Sequence, residues 1–287
     1  MKLRYTAPQE MLVKEAITAL GISKRALTAI KYEGGSILVN GEEKTVRHVL
    51  QKADVVTVLF PKEVPSEGIP LEHGPIEIVY EDPYLLIINK PANQRSIPSI
   101  DAPNGSLASQ VLGYYNRQGI EATIHIVTRL DRDTTGLVCL AKHRHIHFLL
   151  GNQTLHKEYR AFISGEMTTN RQITLPIGRK DGSIIERTVR EDGQYARTDI
   201  EIVERHASWT DITCTLRTGR THQIRVHLSA IGHALIGDEL YGGPTEHVRR
   251  QALHCQRLQF THPITGELLK ITSELPADML HFKHYHG

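Results

Sequence analysis

Between Ile124 and Leu137 the chain reads IHIVTRLDRDTTGL, and no other stretch restricts its folding as much. A charged triplet, Arg129-Leu130-Asp131, stands between two apolar runs. If the segment runs extended into Asp131, alternation puts Arg129 and Asp131 on one side and Leu130 on the other. Asp133-Thr134-Thr135-Gly136 follows, with side-chain oxygens and a permissive glycine, the composition of a tight turn. Leu137-Val138-Cys139-Leu140-Ala141 is short, apolar and β-prone, which predicts a buried strand. A charged residue presented between two strands suggests an active-site loop. The residues alone leave a plainer reading open, with Asp131 a turn carboxylate paired with Arg129 and Asp133 a turn or cap residue.

Upstream, the 3-4 spacing of Met11, Leu12, Glu15, Ala16 and Leu20 predicts a helix over 10–21 that Gly21 closes. Ser23 caps a second helix, 24–33, ended by Gly34-Gly35. Ser36 to Val39 leads into Asn40-Gly41, a hairpin signal, and Asp54 to Phe60 reads as a later strand. Pro61 to Gly74 is rich in Pro, Gly and charge and reads as a linker. Two β runs, 76–80 and 85–91, flank a Glu81-Asp82-Pro83 turn and predict a hairpin. Ser106 starts a helix over 106–117. Further on, 146–150 looks helical, and 157–162, 198–203 and 210–216 read as strands. Gly219 and Thr221 break the last strand and start a helix carrying Gln223, Arg225 and His227.

With 287 residues the chain can bury a large core and hold a main domain with a smaller one. The expected architecture is α+β: a small α+β domain at 1–62, a linker at 63–74 and a main domain at 75–287. The formal net charge of +2 does not diagnose nucleic acid, but its distribution is informative. The first 62 residues hold ten Lys/Arg against six Asp/Glu, while the remainder is slightly acidic. A basic N-terminal segment hints at phosphate contact. Cys139, Cys214 and Cys255 are odd in number and widely spaced, neither a disulfide framework nor a zinc spacing, which suits a reducing cytoplasm. Seventeen histidines bring no metal-ligand spacing, so no metal is expected, and the tail from His281 to His286 reads as a solvated terminus. Nor is a cofactor expected, since no Walker loop or GxGxxG appears. No apolar run approaches membrane-spanning length, no signal-peptide pattern opens the chain, and a monomer is expected.

RLDRDTTGL resembles the signature of the RluA-type pseudouridine synthases. That pattern usually begins with histidine where this chain has Thr128, and Thr135 is an accepted variant of its serine. VYEDPYLLIINKPA is similar to the family's strand-turn-strand opening, with Asn93 where glycine is common. KEYRA resembles its second signature, and GRTHQIRVH its third. Leu253-His254-Cys255 and Phe260 to Pro263 resemble its closing strand, with Cys255 replacing a usual alanine. The likeness runs from about Ile76 to Pro276 with the motifs in order. Two small helices with the phrase SILVNGEEK resemble an S4-type RNA-binding domain.

The resemblance implies a mostly antiparallel central sheet and isomerisation of uridine to pseudouridine in structured RNA, ribosomal or transfer. Asp131 would be the essential carboxylate and Arg225 its charge partner. Tyr159 would pack on the uracil and accept its carbon-5 proton. Arg129 would enter the helix where the target base was, and Arg220, His222 and Gln223 would also contact RNA. Lys24, Arg25, Lys31 and Lys44 would do so from the N-terminal domain. Two rivals remain at this point. One is a glycosidase using Asp131 and Asp133 as paired carboxylates. The other is a noncatalytic RNA-binding or ribosome-assembly protein.

Overall fold

The computed structural model describes residues 1–64 and 68–287. Positions 65–67 of the expected linker lie outside the described residues. The first 60 residues form a four-stranded antiparallel sheet in the order Lys2–Thr6, Val55–Leu59, Ser36–Val39, Glu42–Glu43. Helices Val13–Ala19 and Lys24–Tyr32 cover it through a core that includes Leu3, Val13, Ile17, Ile30 and Val58. Ser23 caps the second helix, its Oγ accepting the Ala26 N–H at 3.2 Å. Asn40 and Gly41 both take positive φ, 51° and 94°, as a tight hairpin turn requires. The first helix is shorter than its periodicity predicts. Met11–Leu12 pairs as a short strand with Val49–Leu50, so the helix starts only at Val13.

A ten-stranded sheet builds most of the rest, beside a small hairpin of Ile177–Arg179 with Arg187–Val189. Its path runs Arg171–Ile173, Thr198–Arg205, Trp209–Leu216, His156–Ser164, Leu253–Thr261, Thr135–Ala141, Leu85–Lys90, Glu77–Glu81. Leu268–Thr272 pairs with Leu253–Thr261, and His125–Ile126 with Thr135–Ala141. Every pairing among the described residues is antiparallel except one, in which Thr135 and Gly136 lie parallel to His254 and Cys255. The α+β, mostly antiparallel architecture is therefore the one found. Thr135–Ala141 is buried along its whole length, as a strand covered on both faces must be.

That parallel pair fixes the place of the charged triplet. Extended pairing ends at Ile126, so Arg129 and Asp131 lie in a loop and not on a strand. Leu130 is nevertheless buried between exposed Arg129 and half-buried Asp131. The turn falls at Arg132-Asp133, earlier than expected, and Thr135 and Gly136 already belong to the strand. Gly136 has φ 110°, and a Cβ there would stand 2.4 Å from the Cys255 carbonyl oxygen. Two backbones thus converge just behind the loop, which only glycine permits.

The tail keeps its histidines exposed, as a solvated terminus would, but it is helical and docked along one face. Ala277–His286 is a helix that buries Met279 and Phe282 against Phe162 and Trp209. The Trp209 Nε1–H donates to the His286 carbonyl at 2.6 Å, and Lys283 reaches Asp211 at 3.0 Å. Described residues of the expected linker also pack on the main domain. Glu63 accepts from the Arg144 amide at 2.8 Å and pairs with His125 at 2.7 Å, and the Glu72 carboxylate accepts the Gly105 N–H at 2.9 Å. Phe60 lies against both His143 and His145, 4.9 and 5.0 Å between centroids, while His145 Nε2 meets the Leu20 carbonyl at 3.2 Å.

Candidate active site

The loop carrying Asp131 is pinned from several directions. Ser96 brackets Leu130, donating to its carbonyl at 2.8 Å and accepting its N–H at 3.1 Å. Beneath, the buried Lys90 ammonium donates to the carbonyls of Pro91, Gln94 and Arg132 at 2.7, 2.8 and 2.9 Å. Burial pushes the Lys90 pKa down to about 7, against the pull of Asp133 and Asp131. Three carbonyl acceptors match the three protons of an ammonium, one more than a neutral amine can supply. Arg250 holds the Asp133 carbonyl at 3.2 Å and is itself clamped by Asp278 at 2.6 and 2.8 Å. Backbone carbonyls caught from below leave the Asp131 side chain to face outward.

It faces a cavity of about 590 Å³, lined on one side by residues 126–132 and on the other by 219–225, with Tyr159 and Leu253 among its walls. Arg225 Nη1 reaches Asp131 Oδ2 at 3.4 Å. Its stronger commitment is elsewhere, since Nε and Nη2 grip both oxygens of buried Asp238 at 2.7 Å each. A bidentate carboxylate fixes the guanidinium plane and leaves one N–H pair for Asp131. Tyr241 adds a second support, its ring 4.8 Å from the guanidinium carbon. Asp131 is not paired with Arg129. Asp133 pairs instead with neighbouring Arg132 at 3.0 Å and does not line the cavity. The two carboxylates therefore do not flank a common space, and the glycosidase arrangement is absent.

Tyr159 is buried in the cavity wall, where pairing with Leu253–Thr261 slips by one residue between Glu158 and Tyr159. Such irregularities re-aim side chains. Burial first, then Cys255 and Asp131, pushes the Tyr159 pKa well up. A phenol so held presents a ring and a hydroxyl to whatever occupies the cavity. Arg129 is exposed at the cavity lip with no ion pair or hydrogen bond among the described residues. Arg220, also exposed there, is steadied by the Tyr195 carbonyl at 3.0 Å. His222, in the left-handed region at φ 57°, comes within 3.9 Å of Asp131 Oδ2. Gln223 borders the same cavity, but its amide is spent inside the fold. It accepts from Thr218 Oγ1 and the Arg220 N–H and donates to the Arg197 carbonyl and Thr198 Oγ1. Gln223 is thus a brace for the 218–223 turn and not a free RNA contact. Lys24, Arg25 and Lys31 are exposed on or beside the second helix, and half-buried Lys44 pairs with Glu42 at 2.8 Å. None of these four lines the cavity.

Residues 84–230 match the family model described as RNA pseudouridylate synthase. The chain is 46% identical over 274 residues to the "Uncharacterized RNA pseudouridine synthase YjbO" of Bacillus subtilis, covering 94% of this chain and 97% of that protein. This chain belongs to the RNA pseudouridylate synthase family. It is also 37% identical over 224 residues to the ribosomal large subunit pseudouridine synthase D of Haemophilus ducreyi, covering 72% of this chain and 69% of that one. In fold it is similar to human RNA pseudouridylate synthase domain containing 4, with a TM-score of 0.60 and 21% identity, over 72% of this chain and 92% of that one.

Two departures from the family pattern are explained by the structure of this synthase. Thr128 is buried, and its Oγ1 accepts the Cys139 N–H at 2.9 Å, tying the loop to the strand behind it. Asn93 takes φ 57°, which asparagine tolerates nearly as well as glycine. Sequence reasoning passed over Lys90, Asp238 and Tyr241. Asp238 and Tyr241 stand in the phrase GDELYGG, directly after the third signature, which was the available signal. Lys90 opened the run Lys90-Pro91, where a lone lysine at a strand end reads as surface. Among the described residues no group of His, Cys, Asp or Glu is arranged to hold a metal, and no helix is long and apolar enough to cross a membrane.

Proposed function

We propose that this synthase isomerises specific uridines in structured RNA, ribosomal RNA in preference to transfer RNA, with Asp131 as the essential carboxylate. The observation that carries the reading is one carboxylate at the wall of an open cavity, backed by the Asp238-anchored Arg225 and faced by Tyr159. Pseudouridine formation breaks the N-glycosidic bond, turns the base and rejoins it through carbon 5. A carboxylate suits addition to carbon 1 of the ribose, and equally removal of a ribose proton on the way to a glycal. In both uses an opposing guanidinium favours the ionised form. Tyr159 packs on the uracil as a neutral phenol.

A base leaves its stack at a cost of a few kcal/mol. Arg129, exposed and uncommitted, suits filling the vacated place, because a planar guanidinium stacks on bases and pairs with phosphate. Arg220 and His222 line the opposite wall for contact with the flipped nucleotide or its neighbours. The N-terminal 1–62 segment is read as an S4-like RNA-binding domain, joined through 63–74 to a catalytic domain over 75–287. Lys24, Arg25 and Lys31 supply its phosphate contacts, Lys44 less so because Glu42 holds it. The lean toward ribosomal RNA rests on relatives named ribosomal large subunit pseudouridine synthase D and on this appended domain. Three buried free thiols suit a reducing cytoplasm.

Mapping pseudouridine in total RNA from cells with and without the gene tests the reaction and its target together. Discrete sites should vanish with the gene, return with the wild type and stay absent with Asp131→Asn, which should still bind RNA. If no site is lost, a noncatalytic RNA-binding role replaces this reading. Replacing Lys24, Arg25 and Lys31 by alanine should flatten the slope of log affinity against log salt by about 2, at roughly 0.7 per lost phosphate contact. An unchanged slope would remove the N-terminal segment from the RNA interface.

A further inference from the structure

We propose that Tyr241 and His222 form a relay that orients Asp131, holding its Oδ2 together with Arg225 so that Oδ1 is the oxygen that meets the ribose. The inference rests on Asp131 being the essential carboxylate and adds which of its oxygens works and what turns it. The Tyr241 hydroxyl lies 3.0 Å from the Arg187 amide, whose N–H it accepts, and 2.8 Å from His222 Nδ1. A phenol has one proton to give. Among the described residues Nδ1 is the acceptor in reach, so Tyr241 donates to it. The other ring nitrogen, Nε2, then carries the imidazole proton, and it is Nε2 that points to Asp131 Oδ2 at 3.9 Å. The tautomer of His222 is set by its far partner, the usual logic of a histidine whose second nitrogen is hydrogen-bonded.

Arg225 Nη1 approaches the same oxygen, Oδ2, at 3.4 Å. Both donors converge on Oδ2, and no described side chain hydrogen-bonds or ion-pairs with Oδ1. Each distance is longer than a formed hydrogen bond, as is common before a substrate fills a site, and tightening follows when the nucleotide displaces water. Burial, with Arg225 and Arg187 nearby, holds the His222 pKa down against the pull of Asp131 and Asp238. The ring is thus a neutral donor. His222 holds a left-handed backbone, φ 57°, which a residue with a Cβ adopts at a cost and which the tertiary surroundings maintain.

One short segment supports the whole set. Asp238 clamps Arg225, and Tyr241, three residues on, stacks beneath Arg225 and bonds to His222. The Ser229 hydroxyl donates to the Tyr241 carbonyl at 2.9 Å and ties that segment back to the Gln223–Ala230 helix. Tyr241 and His222 are positioning residues, acting on the sugar through Asp131.

The test uses the full chain labelled with 15N-histidine. In long-range 1H–15N spectra the His222 pair, identified by its loss in His222→Gln, should show an unprotonated Nδ1 and a protonated Nε2. Tyr241→Phe keeps the ring beneath Arg225 and removes the proton donor to His222, along with the acceptor of the Arg187 N–H. It should move both nitrogens toward a mixture of tautomers and slow pseudouridine formation about tenfold, with affinity for RNA unchanged. The probe is total RNA from cells lacking the gene. His222→Gln, whose amide can place an N–H near the Nε2 position, should keep more rate than His222→Leu. Wild-type rate and unmoved nitrogens in Tyr241→Phe, with Asp131→Asn inactive, would overturn the relay while leaving Asp131 in its role. Turnover by Asp131→Asn would instead overturn the assignment on which the relay depends.

Discussion

Around Asp131 the decisive interactions are with groups far along the chain. Arg129, two residues away, is the partner that proximity suggests, yet the charge beside the carboxylate comes from Arg225, 94 positions on. Arg225 in turn is held by Asp238, which is 1% exposed. Removing one member of a buried, bidentate pair leaves the other charge without compensation, at about 3 kcal/mol or more. Asp238→Asn should therefore lower the free energy of urea unfolding by about 3 kcal/mol and slow isomerisation as well. Loss of rate with unchanged stability would mean that Asp238 serves chemistry alone. Tyr159 teaches a related point. Its motif identified it as a site residue, but its proton state follows from burial, which no motif records.

Among the elements, strand Thr135–Ala141 and the first residues of Leu253–Thr261 make the platform. Their parallel contact is confined to Thr135-Gly136 against His254-Cys255, directly behind the loop. Gly136→Ala would add both a strained φ and a Cβ within 2.4–2.8 Å of the Cys255 backbone. The expected cost exceeds about 2 kcal/mol, because backbone cannot swing aside as a side-chain tip can. Thermal unfolding measures it, and a shift of less than a degree would show that the strands can part. The Gln223–Ala230 helix matters through its first turn. His222 and Arg225 come from that end, with Gln223 locking the preceding turn from inside.

Over the whole molecule, the two sheets meet at a seam built from Phe60, His143 and His145, with Glu63 closing it. Burial presses the His143 pKa down to about 4 from 6.5, partly opposed by Glu63. His254, beside Thr135 where the two strands run parallel, is also pushed to about 4 by burial. Between these values the unfolded chain carries a proton at each site that the folded chain lacks. Stability therefore rises with pH through that window and falls as pH drops from about 6.5 to about 4. Melting temperature measured across this range should decline toward acid, less steeply in His143→Gln. An equal slope in the variant would assign the acid sensitivity to other groups.

Local pattern determined much of this protein. The caps at Ser23 and Ser106, the Asn40-Gly41 turn and most strands follow from short-range rules of spacing and turn chemistry, while the three signatures came from the resemblance to the family. The same stretches picked out Asp131, Tyr159 and Arg225 before any geometry was known. Tertiary structure decided the rest. It docked the last helix through Met279 and Phe282 onto Trp209 and Phe162 while leaving the tail's histidines exposed, and it ended extended pairing at Ile126, before the triplet. It also tied Gln223 inward, separated Asp133 from Asp131 and brought Asp238 and Tyr241 under the site. The physical reason is common to all of these. Burial and pairing depend on what arrives from distant sequence, whereas capping and turn geometry depend on a few neighbours.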